Sequence, residues 1–250
     1  MKTPRSGPTK KALWSALAAG LACALPAQAT LVSNGSFELT SPLVASPTVM
    51  NSSGFSLTGW THNTAPGIDG DCLVAPGYSG SICGGVGLAG ALPANSPDGG
   101  NFIASDGNFF NHSISQLITG LTPSASYQLT FYQALAQDVE PGITVPGPVS
   151  GHWDVTFGST TLSSAAMAGN GATSTFAPWS LQTMTFIASN SSELLSFLSV
   201  GAGDPPIVML DGVELSAIPE PETLGLLALG SLLLTLKRGH EHWQARRAAR

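Results

Sequence analysis

Five aspartates, Asp69, Asp71, Asp98, Asp106 and Asp154, are the side chains of this chain best placed by type to do acid–base chemistry. Two of them facing each other across a cleft, roughly 5 to 9.5 Å apart, would meet the demand of glycoside hydrolysis. Spacing along the chain does not set that distance. Other catalytic patterns are missing: there is no G-x-S-x-G elbow, no H-E-x-x-H metal site and no Gly-rich phosphate loop. With few histidines as well, the expectation is a noncatalytic protein, and a hydrolase acting on exopolysaccharide stands as an alternative. For binding rather than catalysis, Trp153, Trp179, Tyr78 and Tyr132 offer flat faces on which a sugar ring can lie. Each serves equally well as ordinary packing, and Trp60 reads as core.

The elements that must position these groups are strands. The stretch from Thr30 to about Ala217 is rich in Ser, Thr, Gly, Asn and Pro and has no long segment of helical period. It has short alternating runs between turn residues. In Ser126–Gln133, Tyr127, Leu129 and Phe131 fall on one face because a strand repeats every two residues. Further candidates are Asn101–Ala104, Ser113–Ile118, His152–Phe157, Leu181–Ala188, Leu194–Val200 and Ile207–Leu215, the last broken at Gly212. Seven or more such runs predict an all-β sandwich. The segments 41–53 and 137–150 read as long loops.

Charge is distributed unusually. All nine Lys and Arg lie at the two ends, at 2, 5, 10 and 11 and at 237, 238, 246, 247 and 250, whereas fourteen of the fifteen acidic residues lie between Ala12 and Leu236. The net charge of −6 therefore understates how acidic the body is. A phosphate backbone would meet repulsion and no cation, which argues against a nucleic-acid partner. At the start, a cationic stretch precedes ALWSALAAGLACALPAQA, with small residues at Ala27 and Ala29. This is the layout of a secretory signal peptide, residues 1–29, with cleavage after Ala29. Cys23 is then discarded, because Gly20 stands where a lipoprotein signal has Leu. Cys72 and Cys83, in DCLVAPGYSGSIC, remain. An oxidising destination favours a disulfide between them; two reduced thiols in a loop are the alternative. Zinc is less favoured, since His62, His112 and His152 show no metal-site spacing with the cysteines.

At the far end, residues 218–250 begin with Pro219-Glu220-Pro221, continue through an uncharged run at about 223–236 and finish in a basic tail. Fourteen residues of helix reach about 21 Å, short of a hydrocarbon core of about 30 Å. A short C-terminal transmembrane helix is nevertheless expected, with its basic flank in the cytoplasm. Motif, apolar run and basic cluster together resemble the PEP-CTERM sorting domain of Gram-negative bacteria. The resemblance implies recognition by a membrane-embedded exosortase, transient anchoring in the inner membrane, and delivery to the outer surface or an extracellular matrix made with exopolysaccharide. This tail runs on past the basic cluster to Arg250, further than is usual in that family.

The body carries a second resemblance. LVSNGSFE at 31–38, Gly59-Trp60, ISQLITGLTPSASYQLTFY and the closing VMLDGVEL are similar to phrases of carbohydrate-binding modules with the galactose-binding jelly-roll fold. That resemblance implies a jelly-roll sandwich over 30–217 and a structural calcium ion between its first and last strands. It places Glu38 and Asp211 as ligands, while Asn34 supports the turn before Gly35. Calcium takes six to eight oxygens, so carbonyls, amides or water must complete such a site. A surface or matrix protein, glycan-binding or purely structural, is the expected function.

Overall fold

The computed structural model describes residues 30–43, 48–50, 54–63, 71–75, 81–82, 86–87, 95–108, 112–137, 148–169, 177–203, 206–219 and 221–248. The leader expected at 1–29 lies outside these residues, as do Asp69, Tyr78, Cys83 and Glu220. In chain order the strands are β1 (Thr40–Ser41), β2 (Thr48–Val49), β3 (Ser56–Leu57), β4 (Thr61–His62), β5 (Asp71–Val74), β6 (Ser81–Ile82), β7 (Val86–Gly87) and β8 (Phe102–Asp106). They continue as β9 (Ile114–Thr119), β10 (Ser126–Gln137), β11 (Val149–Phe157), β12 (Thr160–Ser163), β13 (Met167–Gly169), β14 (Ala177–Ile187), β15 (Ser192–Ala202) and β16 (Pro206–Ala217). A helix, α1 (Pro221–Ala248), follows.

Two six-stranded antiparallel sheets make the body. One runs β14-β10-β16-β8-β5-β2; the other runs β12-β11-β15-β9-β4, with β13 beside β11. Consecutive long strands change sheet at nearly every step: β8 to β9, β9 to β10, β10 to β11, β14 to β15 and β15 to β16. That alternation makes the body a jelly-roll sandwich: the residue pattern predicts the sandwich, and the resemblance implies its jelly-roll form. Its centre is aromatic. Phe197 stacks edge-on against Phe131 (5.3 Å) and Trp153 (6.2 Å), and Trp60 packs on both Phe37 and Phe197.

The two sheets differ in how they meet their surroundings. In β11 and β15 buried and less buried positions alternate, the signature of a sheet packed on one face. Along β5, β8, the second half of β10 and most of β16 almost every residue is buried. These strands are covered on both faces. One face joins the central core, and the other carries a second apolar cluster of Cys72, Val74, Phe102, Ala104, Ala134, Ala136, Ile207 and Met209. Short alternating runs give no hint of that second cluster.

β16 is continuous where the sequence predicts a break. Thr130 pairs with Glu214 but Tyr132 pairs with Asp211, so β16 has one residue more than β10 between these pairs. Gly212, at φ +58°, absorbs it as a bulge, a conformation that suits a residue without Cβ.

The C-terminal expectation needs correcting. α1 is 28 residues long and runs on through the basic cluster instead of ending near 236. Pro221 starts it, at the one helical position where a missing N–H costs nothing. No helix among the described residues is long and apolar enough to cross a membrane. The reason is compositional: Lys237, Arg238 and His240 follow the fourteen-residue apolar run before it reaches spanning length. The transmembrane helix at 223–236, and with it the transient inner-membrane anchoring, is thereby overturned.

The cysteine pairing also needs restating. Cys72, buried on β5, is disulfide-bonded. Cys83 lies outside the described residues, so a bond between Cys72 and Cys83 is not shown.

Candidate functional site

The first described segment, Thr30 to Leu39, lies along the end of β16. The Leu31 N–H donates to the Leu215 carbonyl (2.8 Å), and the Val213 N–H donates to the Gly35 carbonyl (3.1 Å). Asn34 holds the intervening turn in the left-handed region (φ +53°). Its Nδ2 donates to the carbonyls of Leu39 (3.1 Å) and Thr58 (2.9 Å), and its Oδ1 accepts from the Leu39 N–H (2.9 Å). The Trp60 indole N–H donates to the Asn34 carbonyl (3.0 Å), which ties the turn to the core.

This turn delivers Glu38 to the place where the β16 bulge delivers Asp211. Glu38 Oε1 accepts the Asn101 N–H (2.5 Å). Beside it, a turn closed by the Gly99 N–H on the Ser96 carbonyl (2.9 Å) brings up Asp98. A Cβ on Gly100 would meet Glu38 Oε1 at 1.7 Å, and one on Gly212 would meet the Asp98 Cβ at 3.1 Å, so two glycines cradle the two acids. A cleft of about 280 Å³ opens here, lined by Thr30, Asn34, Ser36, Glu38, Asp98 and Glu214 among others. Asp211 lies behind that lining with no exposed surface. Neither of its carboxylate oxygens has a partner in good hydrogen-bond geometry, although the Ser96 hydroxyl and the Gly212 amide lie close to the group. Burial pushes the Asp211 carboxyl up from 3.8 to about 8, the nearby Asp98 and Glu38 add to the rise, and the Ser96 hydroxyl and the Gly212 amide offset part of it. Sequence resemblance names Glu38 and Asp211 and misses Asp98, whose approach depends on the 96–99 turn.

The four aromatic candidates separate. Trp153 is core, 1% exposed, with its indole N–H donating to the Met209 carbonyl (3.0 Å). Tyr132 follows the core residue Phe131 and so points to the opposite, outer face of its sheet, opposite Asp211 in register. Trp179 packs edge-on against Phe102 (5.4 Å) in the outer apolar cluster. Both are half-buried. Tyr78 lies outside the described residues.

The described aspartates are spread over different elements of the sandwich. Asp71 lies on β5, Asp106 ends β8 and caps the Asn108 N–H (2.9 Å), and Asp154 sits on the other sheet beside His152 (3.3 Å). The acids that do meet are Glu38, Asp98 and Asp211. Asp211, whose carboxyl is pushed up to about 8, is fully buried and does not reach a polymer on the surface. A second constellation was not legible from spacing. His62, Asp71 and His112 place one ligand atom each within 4.8 Å of one another, a group able to hold a divalent ion.

No protein-family model matches the chain, and no curated protein does. Solved structures with a similar arrangement exist at low identity. A family 61 carbohydrate-binding module in complex with beta-1,4-galactotriose is 13% identical, with a TM-score of 0.41 over 76% of this chain and 100% of that one. The K1 cleaved adhesin domain of Lys-gingipain from Porphyromonas gingivalis W83 is 16% identical, with a TM-score of 0.38 over 69% and 98%. The CBM22-1 xylan-binding domain of Paenibacillus barcinonensis Xyn10C is 11% identical, with a TM-score of 0.35 over 70% and 94%. The chain is distantly similar in shape to such modules.

Proposed function

We propose that the protein is a noncatalytic extracellular module that holds a calcium ion beside Asp211 and contacts glycan at the β14 end of its sheet, where the rings of Tyr132 on β10 and Trp179 on β14 are half-buried. The observation that supports it most strongly is Asp211. A buried ionised carboxylate costs several kcal/mol unless it is neutralised, and with no Lys or Arg between residues 12 and 236 the neutralising charge must come from a proton or a bound cation. Glu38, Asp98 and Asp211 would hold the ion, with carbonyls or water completing its oxygen shell. Bound there, calcium fixes the first segment to the last strand and supplies the missing positive charge. Glycan contact rests on Tyr132 and Trp179, whose rings combine an apolar face with a polar edge. Exopolysaccharide is the ligand class proposed for this exported body with no Lys or Arg between residues 12 and 236. A purely structural matrix role is the competing reading.

Affinity electrophoresis of the full chain in gels containing neutral or acidic polysaccharides tests the contact. Retardation of the wild type, reduced at least about tenfold in affinity by W179A or Y132A, is expected. Equal mobility of wild type and both variants on every polysaccharide would leave the structural role. Sorting through Pro219-Glu220-Pro221 by an exosortase-type enzyme is part of the same proposal. The motif joins the end of β16 to the start of α1, so processing there would separate sandwich from helix. The mass of the mature C-terminus decides it, and retention of Arg250 at the final location would exclude processing.

A further inference from the structure

His62 on β4, an edge strand of one sheet, meets Asp71 on β5, next to the edge strand β2 of the other sheet, and His112, two residues before β9. His62 Nε2 lies 2.6 Å from Asp71 Oδ2, and the His112 backbone N–H donates to that same oxygen (3.3 Å). The two imidazole rings stand edge to face with centroids 6.0 Å apart. Asp71 is 1% exposed. Its other oxygen accepts from the Ser105 hydroxyl, and Ser105 Oγ is in turn 2.6 Å from Ser199 Oγ, on a strand of the opposite sheet. A hydroxyl chain spanning the sandwich therefore fixes the carboxylate with Oδ2 aimed at the histidines.

We propose that His62, Asp71 and His112 form a site for a zinc-class divalent ion that staples the two sheets together at this edge. Two imidazole nitrogens and one carboxylate oxygen form a borderline ligand set that suits zinc. Calcium, which demands six to eight oxygens, is poorly served. Tetrahedral coordination with ligand bonds of about 2.0 to 2.2 Å puts ligand atoms roughly 3.3 Å apart. The 2.6 Å contact between His62 and Asp71 must open by a fraction of an ångström, and the widest separation in the trio, within 4.8 Å, must close. Small rotations of the His62 and His112 side chains are the adjustment this requires. Charge points the same way. Asp71 is buried in a body without Lys or Arg, and a dication held between its carboxylate and the two imidazoles would bring positive charge to it. Ser105 acts as the outer-shell group that orients the ligating carboxylate, and water fills the fourth position. This site is independent of the calcium reading: it lies on other strands and takes a different ion.

The test is zinc titration of metal-stripped full-length protein by calorimetry, with Co2+ as a spectroscopic probe. The expected result is one tight zinc equivalent, the visible absorption of four-coordinate Co2+, and a rise in thermal midpoint with zinc that calcium does not reproduce. H62A/H112A should weaken zinc by at least about a hundredfold, and S105A, which leaves all three ligands, by about 10- to 100-fold. H240A/H242A removes the tail histidines and should change nothing. Should H62A/H112A fail to fold, by circular dichroism, H112A and S105A supply the same readout. Absence of tight zinc binding in the wild type, affinity unchanged in H112A and S105A, or affinity lost with His240 and His242 instead would each overturn the proposal.

Discussion

Replacing Asp211 by asparagine isolates the electrostatics of the acidic cleft. In metal-free protein the Asp211 carboxyl titrates near 8, against 3.8 when unfolded. Between those values the unfolded chain has lost the proton and the folded chain keeps it, so stability falls as pH rises through this window. At 1.36 kcal/mol per unit, the total loss between about pH 4 and pH 8 is roughly 6 kcal/mol. Asparagine keeps the shape and does not titrate, and the cost of its own unpartnered amide is the same at every pH. The stability difference between wild type and D211N should therefore slope with pH in chelator, with the wild type losing ground toward pH 8. Calcium should reverse the trend, since the ion takes the ionised carboxylate and releases its proton, so affinity tightens as pH rises toward 8. At 100 times the dissociation constant the ion adds about 2.7 kcal/mol to the wild type and little to D211N. Urea unfolding at pH steps from 4 to 8, with calcium and with chelator, measures all of this. A wild-type-minus-D211N difference that stays flat across the window in chelator would refute the buried, unneutralised carboxyl. A calcium response equal in both proteins would refute its role as a ligand.

Gly100→Ala should abolish the calcium response, because φ is +74° there and the new Cβ would strike Glu38 Oε1. Gly99→Ala, with φ +82° but nothing within 4 Å, should cost only about 1 to 2 kcal/mol of backbone strain and keep the response. Calcium-dependent melting of the pair reads the contrast, and equal behaviour would mean that Glu38 is not held as described. Trp153→Ala should lower stability by about 3 to 5 kcal/mol in urea, since it empties the aromatic centre and strips the Met209 carbonyl of its donor. A loss of glycan affinity in that variant while it remains folded would instead return Trp153 to the binding surface.

The sequence by itself determined the fold class. Alternation in runs such as Ser126–Gln133 reports one buried face per strand, and a two-residue period needs no knowledge of the partner strand. It also showed the acidity of the body and the missing cations, on which both proposed metal sites depend. Glu38 and Asp211 were legible through resemblance, and their meeting follows from pairing of the first segment with β16. Tertiary structure decided the rest. Asp98 joins the cleft through a turn whose closure does not show in residue spacing, and Trp153 and Trp179 part company because core and outer face differ only in which sheet covers them. His62, Asp71 and His112 lie 9 and 41 residues apart in sequence. They meet only because β4, at the edge of one sheet, lies near β5, next to the edge of the other, a long-range contact that no local period encodes.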